Sequence, residues 1–171
     1  MPKPQVILGV DPGLRHTGYC IIVDGKPKEH GVVVAEGSGK LPVECAIRVV
    51  LVGLGPILAR WPEVGAAAVE QVQWYGYGRR VTLPLAHVAG TITGYLLAGG
   101  IPVYLLLATQ RRSISIKRPK PGWEEHDLDA LELAILAKRH LDAEAVGDGS
   151  VPRALLAVSK RRITVPRNTH G

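Results

Sequence analysis

The chain reads as an α/β protein, a mixed five-stranded sheet in the order βββαβαβα with helices on both faces. Three observations carry that prediction. Apolar runs early in the chain are joined at Asp24-Gly25, a tight-hairpin signal between extended segments. Two later apolar runs, 66–72 and 103–107, each follow a helical stretch, as crossovers to parallel strands require. A last periodic stretch, from near Glu124 to about Leu141, supplies the closing helix.

The elements follow in order. Val6-Ile7-Leu8-Gly9-Val10 is a central strand, ended by Asp11 and closed by Pro12-Gly13. Residues 17–23 and 30–36 complete an antiparallel meander with it. Residues 41–60 are helical, with a break or kink expected near the end at Gly53, Gly55 and Pro56. Ala66-Ala67-Ala68-Val69-Glu70-Gln71-Val72 is the fourth strand. A loop rich in Gly, Trp and Tyr leads to an apolar helix from about Leu83 to Ala98, then to the fifth strand at Val103–Leu107. A long basic loop precedes the final helix. Gly147, Asp148, Gly149 and Pro152 then mark an irregular stretch. The chain divides into one domain, 1–145, and a basic C-terminal tail, 146–171, a candidate disordered extension for DNA binding.

Composition bounds the function. With 171 residues and 46% hydrophobic content the chain can bury a single core. A formal charge of +6 and a pI near 9.5 favour a polyanionic partner such as nucleic acid. After residue 100 there are 12 basic against 8 acidic side chains, clustered at Arg111-Arg112, Lys117-Arg118, Lys120 and Lys160-Arg161-Arg162. Charge runs are more often solvated surface than binding sites, so these clusters point to DNA only in a catalytic context. Cys20 and Cys45 lie in apolar surroundings without metal-ligand spacing and read as reduced, buried thiols. The N-terminus lacks the apolar segment of a signal peptide, and no stretch suits a membrane span. A cytoplasmic protein without membrane or nucleotide cofactor is expected.

The chemistry starts at Asp11. A carboxylate at the end of a buried strand needs a basic partner or a metal ion shared with other acids. Glu70, after Ala-Ala-Ala-Val, is a second strand-end acid, and a parallel fourth strand beside the first brings the two together. A solvent-facing carboxylate is the plain alternative for either alone. On the last helix His126 and Asp129 are three apart and share a face, whereas Asp127 points elsewhere. Acids in a first helical turn also complement the helix dipole, which accounts for Glu124 and Glu125. It accounts less well for Asp129, in line with Leu133 and Leu136 on the face that packs on the sheet.

These residues resemble the RuvC-type Holliday-junction resolvases of the RNase H-like superfamily. Leu8-Gly9-Val10-Asp11-Pro12-Gly13-Leu14-Arg15-His16-Thr17-Gly18-Tyr19 is similar to the opening motif, and Val69-Glu70-Gln71-Val72 to the second acid motif. His126, Asp129, Ala130 and Leu131 are similar to the last. The resemblance spans roughly 5–140 and implies an RNase H-like fold. It makes Asp11, Glu70, His126 and Asp129 the catalytic, metal-binding set, with two Mg²⁺ ions expected and Mn²⁺ able to substitute. His126 is either a ligand or an acid-base group. Two ions about 4 Å apart suit in-line hydrolysis to 5′-phosphate and 3′-hydroxyl ends.

Substrate contacts are read from the loops. Aromatics interleaved with Gly at 73–78 make Trp74 or Tyr75 a candidate stacking wedge, with Arg79 and Arg80 for phosphates. Packing of these aromatics onto the core is the alternative. Arg111, Arg112, Lys117 and Arg118 are further candidates for DNA contact, in a 107–123 segment shorter than such resolvases carry. A four-way junction has near two-fold symmetry and must be nicked on two strands, so a homodimer is expected. The competing readings are a nuclease for flaps, forks and other branched DNA, a protein that grips branched DNA without cutting, and an actin-like ATPase, which needs about twice this length.

Overall fold

A computed structural model of the chain describes residues 4–37, 39–72, 79–111, 122–146 and 155–156. The meander forms as β1 (Val6–Asp11), β2 (His16–Val23) and β3 (Lys26–Val34). Its hairpin turns at Asp24 (φ 50°) and Gly25 (φ 80°), left-handed values that Asp-Gly accommodates. Asp24 Oδ1 also accepts from the Gln5 backbone N–H at 2.9 Å, tying the turn to the start of β1. The third strand starts at Lys26, not at 30, because the turn is only two residues long and pairing resumes immediately, Val23 opposite Lys26.

Helix α1 (Val43–Arg60) crosses over to β4 (Val64–Gln71), which pairs in parallel with β1, Val10 beside Val69. The expected break in α1 does not occur. Ala46, Val50, Leu54 and Ile57 form a buried stripe that keeps the helix continuous through Pro56, so packing outweighs the lost N–H. Helix α2 (Arg79–Ala98) starts four residues before the expected Leu83 and carries Pro84 inside it. It returns the chain to β5 (Val103–Leu107), parallel to β4. A short helix, α3 (Ala108–Arg111), and then α4 (Glu125–Val146) follow, the latter outrunning the expected end at Leu141.

The five expected strands lie in the order β3-β2-β1-β4-β5. Two residues of the C-terminal stretch, β6 (Leu155–Leu156), add to the β5 edge, antiparallel, opposite Leu105 and Tyr104. Strand alternation sorts the side chains to two faces. Leu8, Val10, Ile21, Ala67 and Val69 pack under α1 and α2. Ile7, Cys20, Ile22, Ala66, Ala68, Tyr104 and Leu106 pack under α4. No described helix is long and apolar enough to cross a membrane.

Candidate active site

Alternation decides where the acids point. Asp11 follows Ile7 and Gly9 on its strand, and Glu70 follows Ala66 and Ala68, so both carboxylates project from the α4 face. The parallel register places them side by side, one step beyond Val10 and Val69. Both stand at the C-terminal ends of parallel strands, the edge at which open α/β sheets receive ligands.

Helix α4 comes down on this pair at close quarters. A Cβ at Gly9 would lie 1.9 Å from the Ala130 carbonyl oxygen, and one at Gly18 would lie 2.2 Å from that of His126. Only glycine permits such an approach. The helix backbone therefore rests on the sheet backbone at two points, and His126 Nδ1 meets Asp11 Oδ2 at 2.8 Å. Asp11, Glu70 and His126 thus share one sheet edge, and Asp129, half-buried, follows three residues further along the same helix.

The loop after Asp11 is held from within. Thr17 Oγ1 donates to the Gly13 carbonyl at 3.1 Å and accepts from the Gly13 N–H at 3.2 Å. The Arg15 guanidinium reaches the carbonyl oxygens of Gly37, at 2.7 Å, and Gly39, tying a second loop to the same edge.

Sequence reasoning missed His16. Exposed at the start of β2, its ring stacks on that of His126, with centroids 5.8 Å apart and planes at 18°. The signal was available in the antiparallel register: Gly18 is the partner of Asp11, and His16 lies one alternation step further on the same face. Asp127, read as pointing away from its neighbours, does so, and hydrogen-bonds His30 Nδ1 through Oδ2 at 3.0 Å. Burial, and secondarily the Asp127 charge, push the Cys20 thiol on this face up to about 12.

Carboxylates and an imidazole are a donor set suited to hard divalent cations. Among the described residues no group of three or more His, Cys, Asp or Glu side chains is placed, as it stands, to hold a metal ion. By chemistry Asp11, Glu70, His126 and Asp129 are donors of the type such an ion takes, carried on converging elements.

The DNA-contact candidates divide. Arg79 and Arg80 open α2, and Arg111 closes α3, both elements entered from the edge that bears Asp11 and Glu70. Trp74, Tyr75, Arg112, Lys117 and Arg118 lie outside the described residues.

Comparison with known proteins extends this picture. Residues 7–114 match the family described as Crossover junction endodeoxyribonuclease RuvC, a stretch that includes Asp11 and Glu70 and ends before α4. The chain is similar to the crossover junction endodeoxyribonuclease RuvC of Methylobacterium radiotolerans, 30% identical over 89% of this chain and 82% of that protein. It is likewise similar to that of Rhodopirellula baltica, 34% identical over 90% of this chain and 83% of the relative. In fold it resembles the Thermus thermophilus RuvC solved with a Holliday junction substrate, with a TM-score of 0.64 and 22% identity over 84% of this chain and 97% of the other.

Proposed function

The chain belongs to the RuvC family of crossover junction endodeoxyribonucleases, and from that premise we propose that it resolves four-way DNA junctions by paired, symmetric, metal-dependent nicks. The observation that carries the reading is the meeting of acids from β1 and β4 with His126 of α4 at one sheet edge, with Asp129 three residues further along that helix. Two Mg²⁺ ions, or Mn²⁺ in their place, held by Asp11, Glu70, His126 and Asp129, would supply the Lewis acidity that activates water and stabilises the leaving 3′ oxygen.

The chain's own residues do the rest. With the proton of His126 on Nδ1, donated to Asp11 Oδ2, Nε2 is the nitrogen left to serve either as an ion ligand or, in its place, as the base that takes a proton from the attacking water. Glu70, on the neighbouring strand, and Asp129, one helical turn beyond His126, complete the acidic wall against which the phosphate is aligned for in-line displacement. Arg79, Arg80, Arg111, Arg112, Lys117 and Arg118 neutralise phosphates around the junction, and Trp74 or Tyr75 stacks on an opened base. Two copies related by a dyad nick the two strands, within the cytoplasm. Residues 1–145 are the nuclease domain, and the basic tail, 146–171, extends the DNA contact.

The test is cleavage of an end-labelled four-way junction beside a matched duplex and a three-way flap, in Mg²⁺, Mn²⁺ and EDTA, with Asp11→Asn as control. Symmetric paired nicks, absent in EDTA and in the variant, are expected. Equal cutting of every branched substrate would replace junction resolution with a broader branched-DNA nuclease, and tight binding without cutting would make it a binding protein.

A further inference from the structure

Two backbone contacts, Gly9 with Ala130 and Gly18 with His126, fix how closely α4 approaches the sheet. Both lie on the underside of the helix, with the small residues Ala130, Ala134 and Ala137 that pack there, and contacts on that line oppose a small roll about it less than a contact to one side. A roll would swing His126 and Asp129 sideways across Asp11 and Glu70, and displacements of about 1 Å in an active site can cost about a hundredfold in rate. A lateral contact opposes that motion directly.

We propose that His30, Asp127 and Trp123 form that contact, a clamp that stops α4 from rolling and so positions His126 and Asp129. Asp127 is only 3% exposed. Its Oδ2 receives the His30 Nδ1 contact at 3.0 Å and accepts from the Glu124 backbone N–H at 3.3 Å, capping the first turn of α4. Its Oδ1 is buried with no hydrogen-bond partner among the described residues. A buried carboxylate left half satisfied is costly, and an apolar side chain of like volume would pack the same space at less cost. What the carboxylate adds is direction: it ties the helix to β3, two strands away from Asp11. His30 is itself held from the other side, its ring stacked on Trp123 with centroids 3.7 Å apart and planes at 17°. Trp123 lies where the 107–123 segment enters α4, so the clamp also fixes the end of that segment relative to the sheet.

The inference rests on the nuclease reading for its cleavage arm alone, and Mn²⁺ binding tests it separately. MnCl₂ is titrated into the full-length protein and its His30→Ala, His30→Gln and His30→Phe variants, with affinity read by electron paramagnetic resonance, and junction cleavage is measured in parallel. His30→Ala is expected to weaken Mn²⁺ binding about tenfold and to lower kcat on the junction with KM little changed, as losses of ligand-supporting contacts do. His30→Gln, which retains a donor for Asp127, and His30→Phe, which retains the stack on Trp123, each recover part of the loss. Mn²⁺ binding by His30→Ala as tight as in the wild type overturns the clamp, whatever happens to its melting temperature. Should His30→Ala not fold, equality of the Gln and Phe variants with the wild type overturns it equally. A wild type that binds Mn²⁺ but cuts no junction defeats the nuclease reading while the affinities still decide the clamp; one that binds no Mn²⁺ defeats both.

Discussion

The two faces of the sheet are packed by different rules. Under α1 and α2 the core is built of bulk: Leu8, Val10, Leu54, Ile57, Ile92 and Leu96. Under α4 large side chains such as Ile7, Ile22, Tyr104 and Leu133 are joined by small ones: Gly9, Gly18, Ala66, Ala68, Ala130, Ala134 and Ala137 bring helix and sheet backbones together. Each face has a glycine contact that a methyl group would disturb, and the contacts differ in kind. A Cβ at Gly53 of α1 meets both Val33 methyls, Cγ1 at 2.6 Å and Cγ2 at 2.8 Å, a stiff branched side chain that must shift but belongs to no backbone of α4. A Cβ at Gly9 or Gly18 meets a carbonyl oxygen of α4, which cannot move without the helix. Both faces supply stability, and the close approach under α4 also sets the placement of the proposed catalytic residues.

The largest effect is expected where placement ends in chemistry. Asp11→Asn removes the charge that His126 faces and one anionic oxygen of the proposed ion site, and cleavage should fall at least about a hundredfold while junction binding in gel shift persists. On the bulky face, Leu54→Ala should cost about 2–5 kcal/mol in urea unfolding and leave cleavage per folded molecule unchanged. Gly9→Ala should cost about 1–3 kcal/mol yet depress cleavage well beyond that stability loss, whereas Gly53→Ala, pressing on Val33, should cost a similar amount without any further loss of cleavage per folded molecule. Cleavage by Gly9→Ala at the wild-type rate would collapse the distinction between the faces.

Thiol chemistry reads the same contrast more gently. Cys20 is buried beneath α4 with its thiol pushed up to about 12, whereas Cys45, expected buried from its apolar neighbours, is exposed because the buried stripe of α1 starts one position on, at Ala46. One thiol should react with Ellman's reagent in the native protein and two in denaturant. The smallest effect concerns Glu29, on the α1 side. Hydrogen bonds from Arg60, and then from Trp61 at 2.7 Å and Tyr19 at 3.1 Å, hold its carboxyl below the usual carboxylate range against the opposing effect of burial. A depressed folded value means that the contribution is complete above the unfolded pKa and disappears as pH falls through the folded one. The melting temperature of Glu29→Gln should therefore trail that of the wild type at neutral pH, and the gap should close in acid.

Much of this was legible in the chain because the signals are local. An apolar run ending in an acid marks both Asp11 and Glu70, and Asp-Gly marks the hairpin. Residues three apart mark the shared face of His126 and Asp129. The misreadings share a cause as well: Gly53, Gly55 and Pro56 argue locally for a broken helix, and the Leu54–Ile57 stripe against the sheet outweighs them. His16, His30 and Trp123 carry no local pattern. Their neighbours are set by strand register and by the seating of α4, so they emerge only when distant segments meet.

The way the sheet is connected also dictates when in folding the catalytic group comes into being. The meander of β1, β2 and β3 joins near neighbours through two-residue and short turns, at small entropic cost. Pairing of β1 with β4 waits on the α1 crossover, and the His126–Asp11 contact joins residues 115 positions apart. A nascent chain holding only its first hairpins carries Asp11 with none of its partners. An enzyme that cuts DNA thus acquires its blade last, after the scaffold that aims it is complete.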